Sequence, residues 1–313
     1  MSARPNLLMI LPPGWSRYWN QPLAAADVRV LVDGRDQYAL EEIDYVLGFQ
    51  PKSGFLKTLP RLKAIFSMGA GIDGFLNDPD FPRHVPLIRF VDETLSREMA
   101  QYIVMHVLIQ HRAEAKFAAA QRESQWRQAM LARRTEDTRI GILGLGEIGS
   151  VAARRLRDLG FAVSGWSRTK KTIDGIASFA GQGELDAFLK QCDYLVCVLP
   201  LTPQTRHILD ARLFATLPKG AYVINVARGG HLVEADLIAA LDSGHLSGAT
   251  LDVFEREPLP ETSPIWKHPK IVVTPHIAAI TSPAAAARYI IDGIAAMERG
   301  ETLDNVVDMT RGY

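Results

Sequence analysis

Short apolar runs alternate with turn residues throughout residues 1–98. Runs of this length, bounded by glycine, proline and polar residues, predict buried strands. They lie at Leu7–Leu11, Val28–Val32, Tyr45–Leu47, Ala64–Ser67 and Leu87–Phe90. Ser53–Thr58 and parts of the other connections have the pattern of short helices. Alternating strands and helices predict a small α/β unit in this part of the chain.

A more regular alternation begins at Arg139 and predicts a second, larger α/β unit. Helical patterns such as Ile148–Leu159 and Leu232–Leu241 separate its strand candidates. Parallel strands joined by right-handed crossovers are the natural arrangement of such a sequence. The predicted strands are 139–143, 162–166, 193–198, 221–225, 247–251 and 271–273.

The segment between the two units predicts one long helix and an arm. Ser96–Ala120 has a helical pattern with Met99, Ile103 and Val107 on one face, and 122–138 is polar around Trp126 and Met130. A last helix is predicted at Ala284–Met297. The predicted fold is α/β, with two Rossmann-like domains of doubly wound parallel sheets. The larger domain, 99–285, is inserted into a smaller flavodoxin-like domain, 1–98 and 286–313.

Composition narrows the possible partners. The 313 residues are 47% hydrophobic, and 35 basic residues balance 35 acidic ones, which argues against a nucleic-acid partner. No stretch has the length of a membrane span and no signal peptide is evident. Cys192 and Cys197 are not spaced as a metal or redox pair, and so few cysteines favour a reducing compartment. The expectation is a cytoplasmic protein without a metal.

The strand 139–143 runs into Gly144-x-Gly146-Glu147-Ile148-Gly149, and a helical pattern follows at once. This glycine spacing between a strand and a helix is typical of a dinucleotide site. The glycines permit a tight turn and close approach of the backbone to a pyrophosphate at the helix N-terminus. The plainer alternative is a glycine-rich turn without a ligand.

The second predicted strand of this domain ends in a basic turn. An NAD-specific site would place a carboxylate here to bind the ribose hydroxyl, but the sequence has Ser167, Arg168, Thr169, Lys170 and Lys171. Arg168 offers a planar fork to a 2′-phosphate, and the hydroxyls can donate hydrogen bonds to it. The turn therefore favours NADP(H) over NAD(H). The alternative is a solvated basic turn.

Three further strand ends carry candidate chemistry. Arg228, Glu257 and His276 follow successive predicted strands, and ligands of doubly wound sheets bind beyond the carboxyl ends of strands. His276 suits a proton donor because histidine titrates near neutrality. Glu257 would orient its ring, and Arg228 would bind a carboxylate and a developing negative charge. Each residue taken alone has another explanation. His276 could form hydrogen bonds that hold a loop, Arg228 could form an interdomain ion pair, and Glu257 could cap a turn. The other histidines are interpreted as structural or solvated.

Together these segments resemble the D-isomer-specific 2-hydroxyacid dehydrogenase family, over nearly the whole chain. Trp166-Ser167-Arg168 and the terminal Arg311-Gly-Tyr313 are most similar to its glyoxylate/hydroxypyruvate reductase A type. The resemblance implies that 99–285 is the nucleotide-binding domain and that 1–98 with 286–313 is the substrate domain. It also implies that Ser67–Asp73 binds the substrate carboxylate and that Leu199–Thr205 lies beside the nicotinamide. It assigns substrate contacts to Met68, Gly69, Ala70, Gly71 and Arg228, and cofactor contacts to Glu147, Ile148, Leu199, Pro200, Thr205, Ala227, Asp252 and His276.

The resemblance implies an NADPH-dependent reductase of a small 2-oxoacid such as glyoxylate or hydroxypyruvate, with NADH less favoured. It also implies a homodimer formed through the nucleotide domain and the 118–138 arm. Trp126 would reach a partner's active site, or it packs within the arm. Phe49–Phe55 is a candidate loop at the cleft mouth. Longer or phenylpyruvate-like 2-oxoacids stay open. The alternatives are a non-catalytic NADP(H)-sensing protein, such as a corepressor, and a related dehydrogenase acting on formate or phosphite.

Overall fold

The computed structural model describes residues 4–24, 27–128 and 133–309 and divides into two compact units. Unit 1 contains Met1–Asp92 and Thr281–Tyr313, and unit 2 contains Glu93–Ile280. The predicted boundaries after residues 98 and 285 both fall inside helices. A helix moves as one rigid element, so the division falls at its end instead. Met130 and the terminal Arg311-Gly-Tyr313 lie outside the described residues.

Unit 1 is built on a parallel sheet that, over the described residues, has five strands in the order β2-β1-β3-β4-β5. This is the flavodoxin-like order. Its strands are almost wholly buried, as expected for parallel strands covered on both faces. They are β1 (Asn6–Ile10), β2 (Arg29–Val32), β3 (Tyr45–Gly48), β4 (Ala64–Ser67) and β5 (Leu87–Ile88), with helices α1 (Ser16–Leu23) and α2 (Asp73–Leu76) and 3₁₀ turns at Leu40–Glu42 and Leu56–Thr58.

Unit 2 contains a larger parallel sheet, with seven strands among its described residues in the order β12-β11-β10-β9-β6-β7-β8. This is the Rossmann order with one strand added beyond β11. The strands are β6 (Arg139–Leu143), β7 (Ala162–Ser167), β8 (Ala177–Ala180), β9 (Tyr194–Cys197), β10 (Ala221–Asn225), β11 (Leu246–Leu251) and β12 (Ile271–Val273). The helices are α3 (Glu93–His111), α4 (Glu114–Arg122), α5 (Glu147–Asp158), α6 (Gly181–Leu189), α7 (Ala211–Thr216) and α8 (Glu234–Asp242), with 3₁₀ turns at Gly229–His231 and Pro264–Lys267.

The chain returns to unit 1 in α9 (Pro283–Glu298), whose start is fixed by Ser282 as N-cap and by Pro283 in the first turn. Apolar clusters cover both faces of each sheet. Trp19 of α1 and Ile290 of α9 belong to the cluster on one face of the unit 1 sheet, and Phe75 of α2 to that on the other. In unit 2, α3 and α5 cover one face and α6 to α8 the other.

The predicted fold class is confirmed, but two predicted elements were wrong in detail and one strand was missed. The single helix Ser96–Ala120 is two helices, because Ala113 adopts a left-handed conformation with φ of 54°. The strand Leu87–Phe90 stops at Ile88, since Arg89 N instead donates to Asn305 O at 3.2 Å. Strand β8 was missed because it is a half-buried edge strand without an apolar run. Among the described residues, no helix combines the length and apolar character that a membrane span requires.

Candidate active site

The candidate residues of unit 2 lie at one edge of its sheet. Every strand pair in this sheet is parallel, so all carboxyl ends meet at the same edge. The strand order reverses between β6 and β9, which is the switch point where nucleotides bind in such sheets. The glycine turn follows β6, the basic turn follows β7, and the remaining predicted loops follow β9 to β12.

The glycine turn has the geometry of a dinucleotide cradle. Gly144 has φ of 108°, and a Cβ on Gly149 would lie 1.8 Å from Gly144 O, so neither position has room for a side chain. By contrast, nothing lies within 4 Å of a Cβ built on Gly146, the residue that caps α5. The open backbone at Gly146 and the N-terminus of α5 fit a bound pyrophosphate.

Beside the glycine turn, a cavity of about 470 Å³ extends toward the basic turn. Ser167 is buried and its hydroxyl donates to Thr169 O at 2.7 Å. Lys170 Nζ lies 3.3 Å from Glu184 Oε2 in an exposed ion pair. Arg154 of α5 was not predicted from the sequence, yet it lines the cavity. The sequence feature that could have identified it is its position in the helix that directly follows the glycine turn. The lining residues are Leu145, Gly146, Glu147, Ser150, Val151, Arg154, Lys171, Thr172 and Ile173.

The loop after β9 is closed by its own hydrogen bonds. Thr205 Oγ1 donates to Pro200 O at 2.7 Å and accepts from Thr202 N at 2.8 Å. The buried ring of His231 lies between this loop and the next, with Nε2 3.2 Å from Pro200 O and Nδ1 3.1 Å from Arg228 O. His231 was interpreted from the sequence as structural or solvated, and it is fully buried.

Arg228 follows β10 in a loop that packs tightly against the loop after β11. Asn225 holds this turn, because its Nδ2 donates to Arg228 O at 3.1 Å and its Oδ1 accepts from Ala227 N at 3.2 Å. A Cβ on Gly229 would lie 1.8 Å from the carbonyl carbon of Phe254. The glycine after Arg228 is therefore required for the two loops to meet.

Glu257 and His276 form the central pair of the site. His276 Nδ1 lies 2.7 Å from Glu257 Oε2, and Glu257 Oε1 accepts from Phe254 N at 2.9 Å. Burial opposes ionisation of Glu257, but the hydrogen bonds from His276 and Phe254 and the charges of His276 and Arg228 hold its pKa below its ordinary value. Glu257 is thus a carboxylate at neutral pH, and Nε2 is the ring nitrogen of His276 left to face a reacting group.

Asp252 anchors the loop that carries His276. Its carboxylate is buried and accepts from Thr274 Oγ1 at 2.5 Å, Ile277 N at 2.9 Å and Ala278 N at 2.9 Å. Its backbone carbonyl accepts from His276 N at 2.8 Å. The predicted nicotinamide contact of Asp252 stays a prediction, and its carboxylate already has three protein donors.

The remaining predicted residues lie on loops of either unit. In unit 1, Met68, Gly69, Ala70 and Gly71 follow β4, and Ser67 Oγ donates to Gly71 O at 3.1 Å. The 50–55 segment is tied to Asp78, which accepts from Ser53 Oγ and Gly54 N. In unit 2, Trp126 follows α4 and is 94% exposed. Within residues 4–24, 27–128 and 133–309, no cluster of ligating side chains suits a metal ion.

Comparisons with known proteins identify the family of the chain. A sequence model described as "D-isomer specific 2-hydroxyacid dehydrogenase, NAD binding domain" matches residues 104–278. The glyoxylate/hydroxypyruvate reductase A of Yersinia enterocolitica is 41% identical over 304 residues, 96% of each chain.

Two solved structures have the same fold at similar identity. A D-isomer-specific 2-hydroxyacid dehydrogenase of Xanthobacter autotrophicus Py2, in complex with NADPH and MES, has a TM-score of 0.93 and 41% identity, covering 99% of this chain and 100% of that one. An NADPH-dependent glyoxylate/hydroxypyruvate reductase of Sinorhizobium meliloti, in complex with NADP and sulfate, has a TM-score of 0.93 and 38% identity with the same coverage. The chain belongs to the D-isomer-specific 2-hydroxyacid dehydrogenase family.

Proposed function

We propose that this chain reduces a small 2-oxoacid, such as glyoxylate or hydroxypyruvate, to the 2-hydroxyacid with NADPH. The observation that carries the proposal is the 2.7 Å contact between His276 Nδ1 and Glu257 Oε2, at the sheet edge that also carries the glycine turn and Arg228. Relatives of about 40% identity are named glyoxylate/hydroxypyruvate reductases, and NADP(H) is bound in several solved relatives.

The cofactor is held by the glycine turn and the basic turn. When bound, NADPH supplies the hydride that is added to the carbonyl carbon of the substrate. Gly144, Gly146 and Gly149 leave the backbone open for the pyrophosphate, with Glu147 and Ile148 in the first turn of α5. Arg168, with the hydroxyl of Thr169 beside it, selects the 2′-phosphate. Ser167 shapes this turn instead, because its hydroxyl already donates to Thr169 O.

His276 acts as the proton donor and Glu257 as its orienting partner. As negative charge develops on the carbonyl oxygen, Nε2 of His276 donates a proton to that oxygen. Glu257 accepts from Nδ1, which fixes the ring orientation and stabilises the imidazolium before the proton is transferred. The guanidinium of Arg228 binds the substrate carboxylate and reduces the cost of the developing charge.

The loop after β4 in unit 1 is the proposed contact for the substrate carboxylate. The N–H groups of Ala70 and Gly71 are its donors, and Met68 and Gly69 shape the turn. The hydrogen bond from Ser67 Oγ to Gly71 O supports a defined loop conformation. A carboxylate is well suited to such successive backbone donors.

We also propose a homodimer in the cytoplasm. Met105, Phe117 and Trp126 are large exposed apolar side chains on or near α3 and α4, which supports burial of this surface by a second copy. The buried free thiols of Cys192 and Cys197 suit a reducing compartment. Light scattering on the purified protein would measure the mass, and a monomer at micromolar concentration would contradict the dimer.

The function is tested by assaying a panel of 2-oxoacids with NADPH and NADH in parallel. The panel contains glyoxylate, hydroxypyruvate, pyruvate and phenylpyruvate. Oxidation of either cofactor is followed by the loss of its reduced-nicotinamide absorbance at about 340 nm. We expect the highest kcat/KM with glyoxylate and hydroxypyruvate as substrates and NADPH as cofactor. Binding of NADPH without turnover of any 2-oxoacid would favour the non-catalytic sensing protein instead.

A further inference from the structure

A chain of three polar side chains leads from α3 to the loop that carries His276; Tyr102 and Asp252 are buried, and Thr274 between them is half-buried. Tyr102 Oη lies 2.5 Å from Thr274 Oγ1, and Thr274 Oγ1 lies 2.5 Å from Asp252 Oδ1. The Thr274 hydroxyl donates to Asp252 Oδ1, and because a hydroxyl has a single proton, the Tyr102 hydroxyl donates to Thr274. Burial raises the pKa of Tyr102 to about 12, so its donating proton is present throughout the neutral range.

The end of this chain fixes three consecutive residues of the candidate site. Asp252 accepts from the backbone N–H groups of Ile277 and Ala278 through its carboxylate, and from His276 N through its carbonyl. His276 itself has φ of 56°, in the left-handed region that non-glycine residues rarely adopt. A residue in this conformation persists only where its surroundings hold it there.

We propose that Tyr102 and Thr274 are positioning residues for His276, acting through Asp252; this rests on the proposed role of His276 as proton donor. Among the described residues, neither side chain is hydrogen-bonded to the His276 ring, whose partner is Glu257. They fix the orientation of the Asp252 carboxylate, and that carboxylate fixes the backbone on the C-terminal side of His276. A small displacement of the ring lengthens the path of the proton and lowers the rate of transfer.

Unit 2 provides a matched pair for comparison. Tyr222 Oη lies 2.9 Å from Thr250 Oγ1. Both residues are buried, as Tyr102 and Asp252 are. This pair joins β10 to β11, and Thr250 Oγ1 also lies 3.5 Å from His106 Nδ1. Among the described residues, neither side chain is hydrogen-bonded to residues 274–278. Tyr222→Phe therefore removes the same atom from the same kind of hydroxyl pair without releasing the His276 loop.

The experiment compares Tyr102→Phe, Thr274→Val and Thr274→Ser with Tyr222→Phe in the complete chain. We expect kcat to fall about 5-fold in Tyr102→Phe and about 20-fold in Thr274→Val, while KM for NADPH changes less than about 2-fold. Thr274→Ser keeps the hydroxyl and should recover kcat to within about 3-fold of the parent. Tyr222→Phe should lower thermal stability as Tyr102→Phe does, with kcat unchanged.

A second readout does not depend on turnover. Hydrogen exchange of the peptide that contains 275–279 should become faster in Tyr102→Phe and Thr274→Val but not in Tyr222→Phe. Equal losses of kcat in Tyr102→Phe and Tyr222→Phe, or unchanged exchange in the 275–279 peptide, would overturn the positioning role. Failure of the proposed function is distinguishable, because the parent protein would then turn over no 2-oxoacid while the exchange difference would still be measurable.

Discussion

The glycine turn after β6 and the loops after β10 to β12 lie at the same edge of one sheet, yet they are built differently. The turn consists of backbone, and its two tightest glycines lack room for a methyl group. The loops instead hold three ionisable side chains, Arg228, Glu257 and His276, that follow three neighbouring strands. One region excludes side chains so that a ligand can approach, and the other depends on particular side chains.

This difference predicts different responses to substitution. In the loops, removal of a side chain leaves the backbone in place, so chemistry is lost while the fold and the cofactor site remain. In the glycine turn, addition of a side chain displaces backbone, so cofactor binding and stability fall together. The two kinds of loss can be separated by measuring kcat, cofactor affinity and melting temperature on the same variants.

The largest effect is expected for His276→Ala. Loss of a general acid lowers kcat on the order of 10³-fold, because transfers of this kind contribute about 10²- to 10⁴-fold. The Kd for NADPH, measured by quenching of tryptophan fluorescence, should stay near the parent value. His268→Ala is the matched control, since His268 Nε2 also lies beside a carboxylate, 3.3 Å from Asp242 Oδ1, but outside the candidate site. Near-normal turnover in His276→Ala would remove its assigned role.

The second effect compares two glycines of the turn. In Gly149→Ala the new Cβ would lie 1.8 Å from Gly144 O, so we expect a lower melting temperature and a loss of affinity for NADPH and NADH alike, on the order of 10²-fold. Gly146→Ala has open space for its Cβ and should keep its melting temperature, while its affinity for both cofactors falls about 10-fold. If Gly146→Ala bound both cofactors normally, the turn would not be the cradle.

The same difference explains which parts of the molecule could be predicted from the sequence. The glycine spacing and the strand runs are local, so the family, the fold class and the turn were recognised, and the family assignment is confirmed. The Glu257–His276 contact joins residues 19 positions apart, and its predicted hydrogen bond is present. The roles assigned to the site residues stay predictions.

What could not be predicted depends on tertiary packing. The Tyr102–Thr274 bond spans 172 positions, and nothing in a helical pattern shows which residue of α3 faces the segment that follows β12. Arg154 lines a cavity that exists only once α5 lies beside the basic turn. The break at Ala113 was missed because alanine is a good helix former, and its left-handed conformation is imposed by its surroundings.

A smaller effect is expected for Glu257→Gln, which keeps the shape of the pair but removes its charge. We expect kcat to fall about 30-fold, since loss of an orienting partner of this kind costs about 10- to 100-fold. The pKa of Glu257 is lowered in the folded protein. The ionised Glu257 therefore contributes fully to folding stability above its pKa in the unfolded chain, and this contribution is lost as the pH falls through its pKa in the folded protein. The parent should therefore lose this contribution only below about pH 4.5, and Glu257→Gln should lack it at every pH. Indistinguishable kcat values at pH 7 would contradict the pair.

The smallest effect tests the basic turn. Arg168→Ala should raise the KM for NADPH about 10-fold and leave that for NADH within about 2-fold, because only NADPH carries the 2′-phosphate that an arginine fork can bind. Lys170→Ala is the matched control. Since Lys170 Nζ already lies 3.3 Å from Glu184 Oε2, its loss should change the KM for NADPH less than that of Arg168.

Two comparisons decide between the explanations of this turn: the KM for NADPH in Arg168→Ala against that in Lys170→Ala, and the KM for NADPH against that for NADH in Arg168→Ala. A general loss of positive potential would affect both variants similarly, since each removes one charge, whereas a fitted phosphate contact would depend on Arg168 far more than on Lys170. Equal changes for NADPH and NADH in Arg168→Ala would leave the turn as a solvated basic surface. Even then the glycine turn would bind the part that the two cofactors share, so cofactor selection would have to come from other cavity residues, with Arg154 and Lys171 the first to test.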